Sequence, residues 1–196
     1  DERMPLPARP LGLYPLSKGL AERRALAANG PALTTVVVRP RFIWGRGDSV
    51  LLPGLIAAMK SGAWFWFGGG RHRTSTCHVR NVCAGTLLAA EKGRGGEVYF
   101  LTDGEPVEFR DFVTRLVRTQ GVEPPAREIP LWVGDVLATG GELVWGALRL
   151  SGQPLLARTA MNLFFREVTV RDAKARGELG YQPVVSLEDG LAELAV

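Results

Sequence analysis

Five consecutive residues, Thr34-Thr35-Val36-Val37-Val38, narrow the folds open to this chain more than any others. They are β-branched without a break and carry no polar alternation. That is the pattern of a strand covered on both faces in a parallel sheet, not of a half-solvated antiparallel one. A helix is expected before them, over residues 15–28, because the fixed φ of Pro15 suits a first helical turn and Asn29-Gly30 is a stop. Helix then buried strand is half of an α/β repeat.

The alternation continues downstream. After Arg39-Pro40 the loop Gly45-Arg46-Gly47-Asp48-Ser49 offers an Asp or Ser to cap a helix carrying Leu51, Leu52, Leu55, Ile56 and Met59 on one stripe. Residues 64–67 read as an aromatic strand ended by Gly68-Gly69-Gly70, and Trp64, Phe65 and Trp66 are expected in the core in preference to a pocket wall. Asn81 is expected to cap a helix running to Ala90, and residues 97–102 form a strand closed by the turn Asp103-Gly104. Residues 109–120 are the clearest amphipathic helix, with Phe109, Phe112, Val113, Leu116 and Val117 on one face and Gly121 as its stop. Beyond Pro124 the pattern is helical and irregular, ending in Ser186-Leu187-Glu188-Asp189, a capping-box-like opening of a last short helix.

Composition excludes several classes. The net charge of +4 comes from scattered arginines with no run of like charge, so no nucleic-acid footprint is expected. Cys77 and Cys83 stand six residues apart, one on an expected strand and one on an expected helix, which fits neither a zinc site nor a secreted disulfide framework; no metal and a reducing cytoplasm are expected. Residues 131–150 are largely apolar and about long enough to span a bilayer, but Asp135, Glu142 and Gly140-Gly141 interrupt them. A surface or lid helix is the expectation, contact with a membrane surface the second reading, and a span the last. The chain opens on Asp1-Glu2-Arg3-Met4-Pro5, extended and proline-punctuated, which reads as the middle of a longer protein.

Chemistry concentrates at Tyr14-Pro15-Leu16-Ser17-Lys18. On a helix the phenol and the ammonium project from one face, four residues apart. A phenol is a poor base at neutral pH, and a fixed positive charge beside it favours the ionised form, so the pair is a candidate general acid/base. The bland alternative is a tyrosine packed on a lysine stem.

The context of that pair resembles the extended short-chain dehydrogenase/reductase superfamily (NAD-dependent epimerases and dehydratases), and within it the 3β-hydroxysteroid dehydrogenase-like and dihydroflavonol-reductase-like branch. The resemblance rests on Tyr14 to Lys18 with Glu22, on Val38-Arg39-Pro40 through Ile43-Trp44-Gly45, on Gly68-Gly69-Gly70 leading to His78-Val79-Arg80-Asn81, on residues 96–106, and on residues 173–183. It covers nearly the whole chain, in order. It implies an α/β fold: the later part of a Rossmann, doubly wound parallel sheet in residues 1–45, and a smaller, mostly helical substrate domain in 46–196, with 81–104 returning to the sheet. Tyr14 and Lys18 would be catalytic. Lys18 would also hold the nicotinamide ribose of NAD or NADP, and Pro40, Arg41, Phe42 and Ile43 would lie beside the nicotinamide and offer backbone groups to its carboxamide. The third catalytic residue of the family and its Gly-rich phosphate loop have no match here, so about the first half of the enzyme is expected to precede this chain. A homodimer built on the helix opened by Tyr14 is also implied.

The departures bear on substrate. Sugar-nucleotide epimerases and dehydratases of the superfamily place a diphosphate-binding arginine where this chain has Thr74, and Arg73 would point to the opposite face of its strand. An apolar, phosphate-free alcohol or ketone, sterol-like or similar, is therefore expected, ahead of a nucleotide-sugar epimerase or a non-catalytic cofactor sensor on the same fold. His78 is expected to be structural, Arg71 and Arg73 to face solvent, and Arg80 stands where the family commonly has an acid.

Overall fold

The computed structural model describes residues 1–5, 7, 10, 12–148 and 158–195. The helix around Tyr14 forms as α1, Leu13–Ala27, and the strand after it as β1, Val37–Pro40. β1 starts later than the β-branched run because Thr35 is engaged with the end of α1: its hydroxyl donates to the Ala25 carbonyl at 2.8 Å and its N–H donates to Asn29 Oδ1 at 3.1 Å. One edge of β1 pairs in parallel with β6, Val98–Leu101, from Val37 opposite Val98 to Pro40 opposite Leu101. No described residue pairs with the other edge, and all four residues of β1 are half-buried, not enclosed on both faces as the sequence pattern suggests. The pattern reports how much cover the strand is built for, and this chain supplies only part of it.

The other described strands form short parallel and antiparallel pairs. β2, Ile43–Trp44, runs parallel to β5, Cys77–His78; β3, Trp66–Phe67, runs parallel to β8, Glu128–Ile129; β4, Arg73–Thr74, is antiparallel to β7, Val107–Glu108. Helix α2, Leu51–Lys60, opens as expected on Asp48, whose carboxylate accepts the N–H groups of Val50, Leu51 and Leu52 at 2.8 to 2.9 Å. The main core gathers around α4, Phe109–Arg118, whose Phe109, Phe112, Val113, Leu116 and Val117 are buried against residues that include Trp44, Leu55, Trp64 and Trp66. Trp64 and Trp66 are thus core residues, as expected, whereas Phe65 points to the other side and is only half-buried.

Helix α3, Val79–Lys92, corrects one expectation. Its cap is His78, whose Nδ1 accepts the Arg80 N–H at 3.4 Å, and not Asn81, which lies inside the first turn and is fully buried. The Asn81 amide is committed elsewhere. Its Oδ1 accepts from the N–H groups of Val184 and Val185 at 2.7 and 2.9 Å, while its Nδ2 donates to Asp103 Oδ1 at 2.7 Å and to the Val185 carbonyl at 2.8 Å.

Helix α5, Leu131–Ala147, packs on α6, Arg158–Phe164, where a Cβ added at Gly134 would meet Met161 Cε at 2.5 Å. The outer face of α5 exposes Trp132, Val136, Leu137, Leu143 and Val144. Among the described residues no helix is long and apolar enough to cross a membrane. Helix α7, Ala173–Leu179, covers β6, and α8, Leu187–Leu194, begins at Ser186, whose hydroxyl accepts the Asp189 N–H at 3.1 Å. Cys77 and Cys83 are free thiols, one on β5 and one on α3.

Candidate active site

Tyr14 lies in the first turn of α1 and Lys18 one turn later, so both reach the same side, with the Lys18 ammonium 5.7 Å from the centre of the Tyr14 ring. Tyr14 is 59% exposed. Among the described residues, no protein group hydrogen-bonds the Tyr14 hydroxyl or the Lys18 ammonium. The next residue on this face, Glu22, anchors the helix: its carboxylate receives Arg39 of β1 in a two-pronged ion pair, with Nε to Oε2 at 2.8 Å. Arg39 in turn lies over the Phe100 ring of β6, 5.3 Å from its centre. The clasp fixes the Tyr14–Lys18 face of α1 against the C-terminal end of β1, the end at which parallel α/β sheets bind their ligands.

A cavity of about 980 Å3 opens there, lined by Tyr14, Lys18 and Glu22 of α1, by residues 36–43, and by Val50, Leu51, Leu163 and Phe164. All four residues expected beside a nicotinamide, Pro40, Arg41, Phe42 and Ile43, are on its wall, but they do different work. Phe42 has φ 46, in the left-handed region, which costs about 1–2 kcal/mol for a residue with a Cβ. The turn drives its ring into the core, edge-on to Phe109, Phe112 and Phe164 at 6.0, 5.6 and 5.8 Å, and such contacts at about 0.5–1.5 kcal/mol each offset the strain. The Phe42 carbonyl is already taken by the Cys77 N–H at 3.2 Å. Ile43 is exposed to the cavity. Arg41 turns inward, donating from Nη2 to the Leu163 carbonyl at the end of α6, and burial pushes its guanidinium below the usual arginine range.

Behind the cavity stands a carboxylate that sequence reasoning read only as part of a turn. Asp103 accepts the Trp44 indole N–H, the Thr76 hydroxyl, the His78 backbone N–H and the Asn81 amide, at 2.8, 2.8, 2.6 and 2.7 Å. It ties the end of β6 to β5, α3 and β2, the last of these next in the chain to the segment 40–43. A signal was present in an acid following a buried strand, but its four partners are far away in sequence.

His78 is structural, as expected. It is fully buried, edge-on to Trp44 at 4.8 Å, and desolvation holds its imidazole below the ordinary histidine range. A Cβ on Gly45, which has φ +128, would sit 2.7 Å from His78 Nε2, so both the turn and the close approach require glycine there. Arg80 forms an exposed pair with Glu193 at 2.5 Å, away from the cavity. Arg71 is exposed. Thr74 is buried in β4, and its neighbour Arg73 points out and donates to the Pro106 carbonyl at 2.6 Å.

This arrangement, a phenol and an ammonium with unclaimed polar heads at the mouth of a mainly apolar cavity, can exchange a proton with a bound hydroxyl or carbonyl oxygen. Comparison with known proteins agrees with its setting. The chain is 53% identical over 194 residues to the 4-hydroxy-2-methyl-3-oxo-4-farnesyl-3,4-dihydroquinoline-1-oxide ketoreductase of Stigmatella aurantiaca, covering 99% of this chain and 58% of the relative. It is 34% identical over 192 residues to the decarboxylating sterol-4-alpha-carboxylate 3-dehydrogenase of Dictyostelium discoideum, covering 96% of this chain and again 58% of the relative. Its fold matches that of dTDP-glucose 4,6-dehydratase from Bacillus anthracis in complex with NAD, with a TM-score of 0.65 at 20% identity, over 100% of this chain and 54% of the other. The chain therefore has the α/β architecture of the later part of a Rossmann enzyme and spans little more than half the length of these relatives. The model of the 3-beta hydroxysteroid dehydrogenase/isomerase family matches residues 1–131, two thirds of the sequence, and the chain belongs to that family.

Proposed function

We propose that this chain carries the proton-transfer half of an NAD(P)-dependent oxidoreductase that interconverts a secondary alcohol and a ketone on an apolar substrate. The observation that carries the reading is the pairing of Tyr14 and Lys18 on one face of α1, their polar heads without a hydrogen-bond partner among the described residues, at the cavity beside the end of β1. Residues 1–45 and 81–104 are read as parts of the cofactor domain, and most of 46–196 as the substrate domain; the parallel pairing of β1 with β6 supports that division.

A nicotinamide nucleotide suits this donor set, since an unclaimed ammonium can hold ribose hydroxyls while an unclaimed phenol stays near the reacting oxygen. When bound, NAD(P) takes or supplies the hydride at the carbinol carbon. In oxidation Tyr14, as phenolate, accepts the proton of the alcohol while the C–H bond gives up its hydride, leaving the ketone; in reduction Tyr14 returns the proton to the carbonyl oxygen. Lys18 places a positive charge on the face where that proton moves, 5.7 Å from the centre of the Tyr14 ring. Val38, Leu51 and Phe164 give the cavity apolar walls that suit an apolar substrate body.

The names of the two relatives describe a ketoreductase and a 3-dehydrogenase acting on a farnesylated dihydroquinoline oxide and a sterol carboxylate, which supports an apolar substrate body. Thr74, buried in β4, and Arg73, turned outward, leave that strand without an inward arginine for a sugar diphosphate. Two free thiols fit a reducing, cytoplasmic setting, and the apolar stripe of Leu13, Leu16 and Leu20 on α1 fits a homodimer interface. α5 is read as a surface or lid helix. A screen of the full-length enzyme should find cofactor-dependent turnover of sterol-like or other apolar alcohols. Robust conversion of UDP- or dTDP-sugars with no activity on apolar alcohols would replace this reading by the epimerase one.

A further inference from the structure

The charges around the cavity do not balance. Its wall carries Lys18, Glu22, Arg39 and Arg41. Glu22 is the sole carboxylate among these lining residues, and it is spent on Arg39 by the two-pronged pair. Two positive side chains are left on an otherwise apolar wall, and of these Lys18 belongs to the catalytic face.

Arg41 is the unexplained one. Its Nη2 donates to the Leu163 carbonyl, and among the described residues its enclosed Nε has no hydrogen-bond partner and no carboxylate pairs with it. Its low-lying guanidinium pKa traces to burial, with no acid opposing it. A charge withdrawn from water is costly unless a counter-charge or hydrogen-bond acceptors meet it. Capping the end of α6 uses one nitrogen of three. The Leu163 bond does, however, fix the guanidinium at the end of β1, on the same cavity as Tyr14, in a pose that leaves donors over for a guest.

We propose that Arg41 is the anion receptor of this site: its guanidinium binds a negatively charged oxygen of the substrate, a carboxylate or the oxygen of an N-oxide, while Tyr14 handles the reacting hydroxyl. This rests on the alcohol–ketone reading for the role of Tyr14, but the receptor itself is defined by binding alone. Guanidinium is suited to the task because it keeps its charge when desolvated and presents parallel N–H groups to two oxygens. The substrate class that follows is an apolar body carrying an oxyanion near a secondary alcohol or ketone. A neutral alcohol of the same shape would leave the half-buried cation unanswered and bind more weakly.

The test uses the full-length enzyme with NAD(P)H bound, as wild type, Arg41→Gln and Arg41→Lys. Arg41→Gln removes the charge but ends where the arginine Nε lies, two bonds short of Nη2, so the longer Arg41→Lys serves as the control for loss of the tether to Leu163. Calorimetric binding is measured for two matched pairs: a branched long-chain β-hydroxy acid with its methyl ester, and an alkylquinoline N-oxide with its deoxygenated parent. Because hydrogen bonds to charged groups are worth about 1.5–3 kcal/mol, the wild type is expected to prefer the charged-oxygen member of at least one pair by about 10- to 100-fold. Arg41→Gln should abolish that preference, and Arg41→Lys should restore part of it. Which pair responds identifies the carboxylate or the N-oxide as the source. Equal weakening of both members in Arg41→Gln would reduce Arg41 to a prop for α6, and loss of NADH affinity with the preference intact would make it a cofactor contact; either result overturns the proposal, as does a wild type with no preference. Binding preference without turnover of any alcohol would sink the dehydrogenase reading and leave the receptor standing.

Discussion

Helices α1 and α4 are of similar kind and opposite circumstance. α4 buries five apolar side chains in the core of this chain, whereas α1 buries none and leaves Leu13, Leu16 and Leu20 exposed along one stripe. α4 is held by packing; α1 is held by a few polar clasps, Glu22 to Arg39 and Thr35 to the Ala25 carbonyl. The proposed chemistry sits on the weakly packed helix. Substitutions at the polar heads of α1 should therefore change kinetics and leave stability alone, and substitutions on the inner face of α4 should do the reverse.

The largest effect is expected from Lys18→Met in the full-length enzyme. On the proposed reading the ammonium serves both the proton transfer at Tyr14 and the cofactor ribose, so kcat/KM should fall by roughly a thousandfold, since acid/base assistance alone is worth about 10²–10⁴. Cofactor affinity should drop with it, while the thermal midpoint stays put. A variant that melts early with normal kinetics would erase the contrast.

On the other side of the comparison, Phe112→Ala should cost about 3–5 kcal/mol of stability. The deletion removes edge-on contacts to Phe42 at 5.6 Å and to Trp44 at 5.4 Å in a site with no exposure. Denaturant titration checks it. A cost under about 1 kcal/mol would mean that the core around α4 can collapse into the gap.

A smaller effect follows from His72 and His78, both held below the ordinary histidine range mainly by burial. In the unfolded chain these rings take up protons as the pH falls through about 6.5, while the folded protein resists until lower pH. The unfolded state then binds more protons, so stability falls as pH drops through that window and recovers above it. Melting curves between pH 7 and pH 5 should show the decline, and His78→Asn should flatten it. An unchanged slope in that variant would place the acid sensitivity elsewhere.

The two helices also differ in how they could be read from the sequence. α4 was legible through periodicity, and Asp48 and Ser186 through short-range capping, because each involves residues within a few positions. Tyr14 and Lys18 were legible by spacing and context. The start of β1 was not, since Thr35 is drawn off by Ala25 and Asn29, a competition that β propensity does not register. Asn81 has partners at positions 103, 184 and 185, and Asp103 at 44, 76, 78 and 81, so neither role can be seen until the fold brings them together. The side chain of Arg41 escaped notice for the complementary reason: its significance is a missing acid, which only the assembled cavity reveals.

The central claim, that Tyr14 moves the proton, is tested most directly by single-turnover hydride transfer in full-length Tyr14→Phe, with NAD(P)H affinity measured on the same preparation. Only the hydroxyl is lost, and among the described residues no protein group depends on it. The account predicts a fall of at least a hundredfold in the hydride-transfer step with cofactor affinity almost unchanged. A Phe variant that keeps more than about a tenth of the wild-type rate would contradict it, because general acid/base catalysis worth so little is no catalysis by Tyr14 at all.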